Sequence, residues 1–262
     1  MLALSHVPHK SHRHSRAAFH VLGKVCQTGV WPATAVVRGT GTAGPSWESV
    51  LSEENKAGVR ARLANMRSPR QIKQQNDNSK MAAVLVPLCC VEGELSLLYT
   101  LRCRSMGAHA GEISFPGGMA DVGDKDEVHT ALREAQEEIG LGGGKDVEVL
   151  GVLPPVPDRL GGTKVVGVLA YLGHLDPNAL ILNPGEVETV IVASLINLCH
   201  PAHARQTQFR SAKIPRGYTL PVYLGTEPRI WGLTAIFTHM ALTALLPGLY
   251  TLRLNHVPPL SQ

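Results

Sequence analysis

The stretch from Phe115 to Leu141 constrains the chain most, because its second half can bury an apolar surface only as a helix. Val128, Ala131, Leu132, Ala135 and Ile139 recur at helical spacing and make one apolar stripe. Glu134, Glu137 and Glu138 stand at i, i+3 and i+4 and share the opposite face. The pattern predicts a helix over about Asp126–Ile139, with Gly140 free to end it in the left-handed conformation that a Cβ disfavours. Three carboxylates on one face repel each other unless cations sit among them. Arg133 can pair with Glu137 one turn on, and hard divalent cations with oxygen ligands would neutralise the rest. Such a triplet alone favours a solvated acidic face. The preceding Gly117-Gly118 favours the ligand reading, since backbone without Cβ atoms can turn tightly or approach a bound group.

Around this stretch the chain alternates short apolar runs with few helices. Ala82–Leu88 reads as a buried strand, Glu92-Gly93-Glu94 as a turn, and Leu95–Leu101 as the hairpin partner. Further strands are expected at Glu148–Leu153, Val165–Leu172, Thr189–Ala193 and Tyr218–Leu224. Ser52 is a plausible N-cap for a helix reaching about Met66. The Gln- and Asn-rich run Arg67–Lys80 reads as a linker. These elements predict an α+β fold, a mixed β-sheet sandwiched between helices.

Charge divides the chain. Residues 1–80 hold 12 Lys/Arg against 4 Asp/Glu, whereas residues 81–262 hold 13 against 17. An acidic domain that binds a polyanion needs cations to bridge the two, and it lacks the basic face that nucleic acid requires, so nucleic acid is an improbable partner. Residues 1–47 contain no Asp or Glu but include Lys10, Arg13, Arg16, Lys24 and Arg38, the composition of a mitochondrial transit peptide. No apolar h-region follows, which argues against secretion, and the terminal Leu260-Ser261-Gln262 is not the peroxisomal address. The five cysteines form no C-x-x-C pair and read as reduced thiols. Ile230–Leu252 has no charged residue, but Thr234, Thr238, His239, Thr243 and Pro247-Gly248 interrupt it, so a buried helix over about Trp231–Leu246 is expected and no membrane span. The organisation that follows is a leader over 1–47, a helix and linker over 48–80, a catalytic domain over 81–252 and a tail over 253–262.

The segment Gly118–Leu141 resembles the Nudix box, whose core is Arg-Glu-apolar-x-Glu-Glu-x-Gly-apolar after a Gly-headed loop. Arg133, Glu134, Ala135, Glu137, Glu138, Gly140 and Leu141 fill its positions. The loop is one residue longer than the plain box, and its usual mid-loop Glu is absent, with Lys125 near that place. The coenzyme A pyrophosphatase branch is more similar still. Its pattern is met by Leu97-Leu98-Tyr99-Thr100-Leu101-Arg102, His109-Ala110-Gly111, Phe115-Pro116-Gly117-Gly118, Asp121 and Asp124. Gly107-Ala108 stand where the branch usually has an Arg before the His.

The resemblance implies a Nudix fold and metal-dependent attack of water on a diphosphate, with coenzyme A or an acyl-CoA as the leading small-molecule substrate. Mg²⁺ or Mn²⁺ is the implied cofactor. It implies Glu134 and Glu138 as first metal ligands, Glu137 in support, and Glu186 as base or further ligand. Glu137, Glu186 and Arg133 form the expected catalytic set. Arg102, Gly117 and Gly118 are expected at the substrate, and His109 either binds phosphate or caps a loop. Arg104 and Lys164 are weaker phosphate candidates, and Tyr218 could stack on adenine or belong to the core. A Nudix hydrolase of another nucleoside diphosphate derivative is the alternative enzyme. A non-catalytic module binding nucleotide or RNA is the alternative from another class, and a monomer or homodimer fits either.

Overall fold

Strand β1 (Lys80–Val91) is the axis of the structure, a computed structural model that describes residues 47–68, 80–105, 110–141, 147–158, 162–211 and 214–255. The basic leader up to residue 46, nearly all of the Arg67–Lys80 linker, His109 and residues 256–262 lie outside the described residues. A turn at Glu92-Gly93 returns the chain as β2 (Glu94–Arg102), antiparallel to β1 with Leu88 opposite Leu97. Two short strands follow, β3 (Ile113–Ser114) on β2 and β4 (Gly117–Met119) on β1. Strand β5 (Glu148–Pro157) pairs antiparallel with β6 (Thr163–His174), which runs parallel to β1. Strand β7 (Val187–Ser194) covers the other edge of β2. The result is a seven-stranded mixed sheet, beside which β8 (Ala204–Ser211) and β9 (Ile214–Tyr223) form a two-stranded ribbon.

Alternation along the strands sends side chains to two layers. Ala83, Leu85, Val168 and Ala170 face helix α3 (Glu127–Ile139), meeting Ala131 and Ala135. Small residues on both partners let helix and sheet approach closely, so a larger side chain there would overpack the layer. Val86, Leu88, Leu97, Tyr99 and Leu169 face the opposite way, into a cluster shared with α2 (Glu53–Asn65) and α5 (Gly232–Leu245). Two brief helices, α1 (Trp47–Val50) and α4 (Leu195–Cys199), complete the set. The expected sheet between helices is the architecture observed. Phe237 and Ile236 are nearly fully buried, which stabilises the fold by roughly 1.5–3 kcal/mol for each such side chain.

Helix α5 carries no Asp, Glu, Lys or Arg and is buried along most of its length. No helix among the described residues is long and apolar enough to cross a membrane. Its C-terminal carbonyls, which lack intrahelical partners, are met by α2. Arg62 Nε donates to Ala244 O at 2.7 Å, and Asn55 Nδ2 donates to Leu245 O at 3.2 Å. Helix α2 in turn starts at Ser52, whose hydroxyl accepts from Asn55 N as the sequence predicts, and it is tied to β5 by Lys56 and Arg60 on Glu148.

Candidate active site

Helix α3 begins at Asp126, whose carboxylate accepts from His129 N, and ends at Gly140 with φ 70° and ψ 20°. Both ends agree with the sequence pattern. Helix α3 delivers the carboxylates to unequal depths. Glu137 is 55% exposed and Glu134 15%, but Glu138 is only 2% exposed. Glu138 therefore lies inside the sandwich and not on an open acidic face. Burial pushes its pKa up to about 7, against the pull of the Arg102 guanidinium and the Gly117 N–H, while Glu186 and Glu134 push it further up. Burial raises Glu134 as well, opposed by Arg133 and reinforced by Glu137 and Glu186.

Gly117 and Gly118 form a strand here, not a tight turn. They pair with Val84 and Ala83 of β1, directly beneath α3. A Cβ on Gly117 would strike Ala83 O and lie 2.6 Å from Val84 Cα, both backbone. A Cβ on Gly118 would lie 2.5 Å from the Glu134 carboxyl carbon. The first glycine thus admits the strand, and the second leaves room for a carboxylate. Gly117 N donates to Glu138 Oε2 at 3.3 Å.

Arg133 does more than pair with Glu137. Its Nε and Nη2 fork onto Asp124 at 3.0 and 2.9 Å, and Nη2 also donates to Met119 O. Its Nη1 stands 3.0 Å from Glu134 Oε1 and 3.3 Å from Glu137. Asp124 is 3% exposed and also accepts from Asp121 N, Thr130 Oγ1 and the His129 ring. Arg133, ahead of those other donors, holds its carboxyl well below the usual carboxylate range. Asp124 is the residue whose work the sequence left unassigned. It holds the Arg133 guanidinium, and an acid six residues after Gly118 was the available signal.

Two further elements close on α3 from the sheet side. Arg102, the last residue of β2, brings Nη1 to 3.8 Å from Glu138 Oε1. Glu186 precedes β7 and is held twice, by Asn183 Nδ2 on its carboxylate at 3.2 Å and by Cys103 N on its carbonyl at 2.8 Å. Asn183 N also donates to Glu138 O, hooking this loop to the end of α3. Arg104 is 83% exposed and reaches Glu188 at 3.6 Å. Tyr218 stacks on Phe209 across the ribbon, centroids 5.2 Å apart. The donor set of Glu134, Glu138 and Glu186, all hard oxygens in mutual repulsion, suits a divalent cation. Among the described residues no three acidic, His or Cys side chains already surround one point, so an ion would have to draw these carboxylates together.

The carboxylate helix, the paired Gly-Gly strand beneath it and the Arg–Asp fork behind it all lie within one segment that carries a family identity. Residues 79–213 match the NUDIX domain model, and the chain belongs to the Nudix family. Divalent metal use is typical of that family. The chain is 46% identical to the mitochondrial coenzyme A diphosphatase NUDT8 of Mus musculus over 201 residues, 76% of this chain and 92% of that protein. Against the Homo sapiens protein of the same name it is 49% identical over 174 residues, 66% of this chain and 72% of that protein. Nudix hydrolase 3 of Caenorhabditis elegans is 34% identical over 70% of this chain and 80% of its own length.

Proposed function

We propose that the protein hydrolyses the diphosphate of coenzyme A or an acyl-CoA, releasing adenosine 3′,5′-bisphosphate and (acyl-)4′-phosphopantetheine. The observation that carries this is the pairing of buried Glu138 with Arg102, which puts the Leu97–Arg102 motif against the carboxylate helix. The extent of likeness to the two coenzyme A diphosphatases supports the same substrate. In the reaction, a water oxygen bonds to one phosphorus, the bridging P–O bond breaks, and a carboxylate takes the proton. A bound divalent cation, Mg²⁺ or Mn²⁺, would lower the pKa of water and offset phosphate charge.

Glu134 and Glu138 would hold the cation, with Glu137 supporting from the exposed side. Glu186, whose field reaches both buried carboxylates, would complete the site or accept the proton. Arg133 works at one remove, as a positioning residue fixed on Asp124. Arg102 offers a fork that fits phosphate oxygens. The acid-free leader would carry the chain into mitochondria. Incubating the protein with coenzyme A, acyl-CoAs, NADH and ADP-ribose, with Mn²⁺ or with chelator, tests the reading. Mass identification of the two coenzyme A products, lost with chelator, is expected. Selective turnover of NADH or ADP-ribose would overturn the substrate.

A further inference from the structure

We propose that Trp231 is the platform for the substrate's base: its indole lies at the end of β2, level with Arg102, and stacks on the adenine of a nucleotide whose diphosphate is held at the carboxylate helix. The inference deepens the hydrolase reading above and rests on it for the place of the diphosphate.

Trp231 differs from the core aromatics in where it leaves its ring. Tyr99, Phe115, Tyr223 and Phe237 are at most 2% exposed, yet Trp231 is 38% exposed. It occupies the N-cap of α5, a position that favours Ser, Thr, Asn or Asp because their side chains accept from free backbone N–H groups. The indole makes no such bond. Neither burial nor capping accounts for an indole in that place. Tyr218, the base partner suggested by the sequence, lies on the ribbon with its ring stacked on Phe209.

The level of Trp231 along the sheet follows from the residues below it on α5. Positions 231, 234 and 238 stand at i, i+3 and i+7 and share one side of the helix. Thr238 Oγ1 is 3.1 Å from the Tyr99 hydroxyl, and Thr234 Oγ1 donates to Ile113 O at 3.1 Å. Ile113 is paired with Leu101. Four residues of helix rise about 6 Å, close to the roughly 7 Å from Tyr99 to Leu101 along a strand. Three more residues, about 4.5 Å, bring Trp231 level with Arg102, where β2 ends. Arg102 reaches the α3 side of the sheet, with Nη1 3.8 Å from Glu138 Oε1, whereas Trp231 belongs to the α5 side. A nucleotide can therefore lay its diphosphate on one side of the strand end and its base on the other, with the ribose between them. Indole offers the flat face on which a purine stacks.

ADP and inorganic pyrophosphate, each with Mg²⁺, would be titrated by calorimetry and by indole fluorescence into the unaltered protein, Trp231→Phe and Trp231→Leu. ADP should quench part of the indole emission of the unaltered protein. Trp231→Phe should lose that quench and keep most of the affinity, because a ring remains. Trp231→Leu should bind ADP roughly 5- to 150-fold more weakly, the range for one base stacked on an aromatic side chain, with pyrophosphate binding unchanged. Unaltered ADP affinity in Trp231→Leu would overturn the proposal, as would an equal loss for pyrophosphate or no ADP binding by the unaltered protein. Quenching by 4′-phosphopantetheine and not by ADP would give the indole to the other end of the substrate and overturn it too. Coenzyme A turnover with Mn²⁺ is scored separately by product mass. Failure there with the ADP results intact would remove coenzyme A and keep the base platform.

Discussion

Adjacent glycines should fail in different ways when each is given a single methyl. In Gly118→Ala the new Cβ would sit 2.5 Å from the Glu134 carboxyl carbon, where ordinary contact needs about a further 1 Å. The obstacle is the far end of a flexible side chain, so Glu134 can swing aside at a rotamer cost of about 0.5–1.5 kcal/mol. Reduced freedom in the unfolded chain returns about 0.4–1 kcal/mol, and the fold should melt near the unaltered temperature. The displaced carboxylate is the larger loss. An error of about 1 Å in a catalytic constellation costs on the order of 100-fold in rate, or about 2.7 kcal/mol. Gly117→Ala meets Ala83 O and Val84 Cα instead, and backbone paired in a sheet cannot step aside. Its penalty should fall on folding, about 3 kcal/mol or more. Thermal melts paired with kcat/KM for Mn²⁺-dependent coenzyme A hydrolysis check both. Full activity in Gly118→Ala would refute the placement of Glu134 at the reacting centre. A Gly117→Ala protein as stable as the unaltered one would refute the strand geometry.

Other expectations are briefer. Glu138→Gln should abolish turnover while leaving the fold intact, and activity near the unaltered level would remove it from the ligand set. Its carboxyl is pushed up to about 7 from a usual 4.5, so the folded protein holds an extra proton between those values. Without metal, the stability this gives is full below pH 4.5 and lost as pH rises through 7, by up to about 3 kcal/mol. Melts in EDTA from pH 5 to 8 should show that decline, and Glu138→Gln should flatten it. Asp124→Asn should loosen Arg133 and lower kcat/KM about 10- to 100-fold, the range for residues that orient ligands from behind, and kcat/KM at the unaltered level would refute that positioning role. Residues 1–47 fused to a fluorescent reporter should bring it into mitochondria, and a cytosolic reporter would leave that segment without an import role.

Helix α3, its Gly140 end, the β1–β2 hairpin and the Ser52 cap were legible because each depends on residues within one or two turns of each other. Glu186 was placed only through family resemblance, since its approach to α3 runs through Asn183 and a sheet edge far along the chain. The depth of Glu138 was missed for a definable reason. On a wheel of 3.6 residues it lies about 60° from Ala135, against about 160° for Glu137, so it borders the apolar stripe. Counting i, i+3 and i+4 groups the three carboxylates as one face and conceals that difference. The β4 strand escaped notice because Gly117 and Gly118 carry no side chains to show alternation. Asp124 reaches Arg133 across a loop, beyond the reach of helical spacing rules.

The α2–α5 clasp carries a consequence for how the chain can be cut. The segment that matches the family model, residues 79–213, excludes both helices. Those helices supply Val59, Leu63, Ile236, Phe237 and Met240 to the core on one side of the sheet. A polypeptide trimmed to the family match would keep every carboxylate of the candidate site and yet present that whole side of the sheet to water. Such a fragment should aggregate, and its inactivity would say nothing about catalysis. Because Arg62 and Asn55 seal the last turn of α5 from nearly two hundred residues away in the chain, the fold is complete only once both ends have been made. A nascent chain must therefore wait for its C-terminal helix before the sheet around Glu138 is closed.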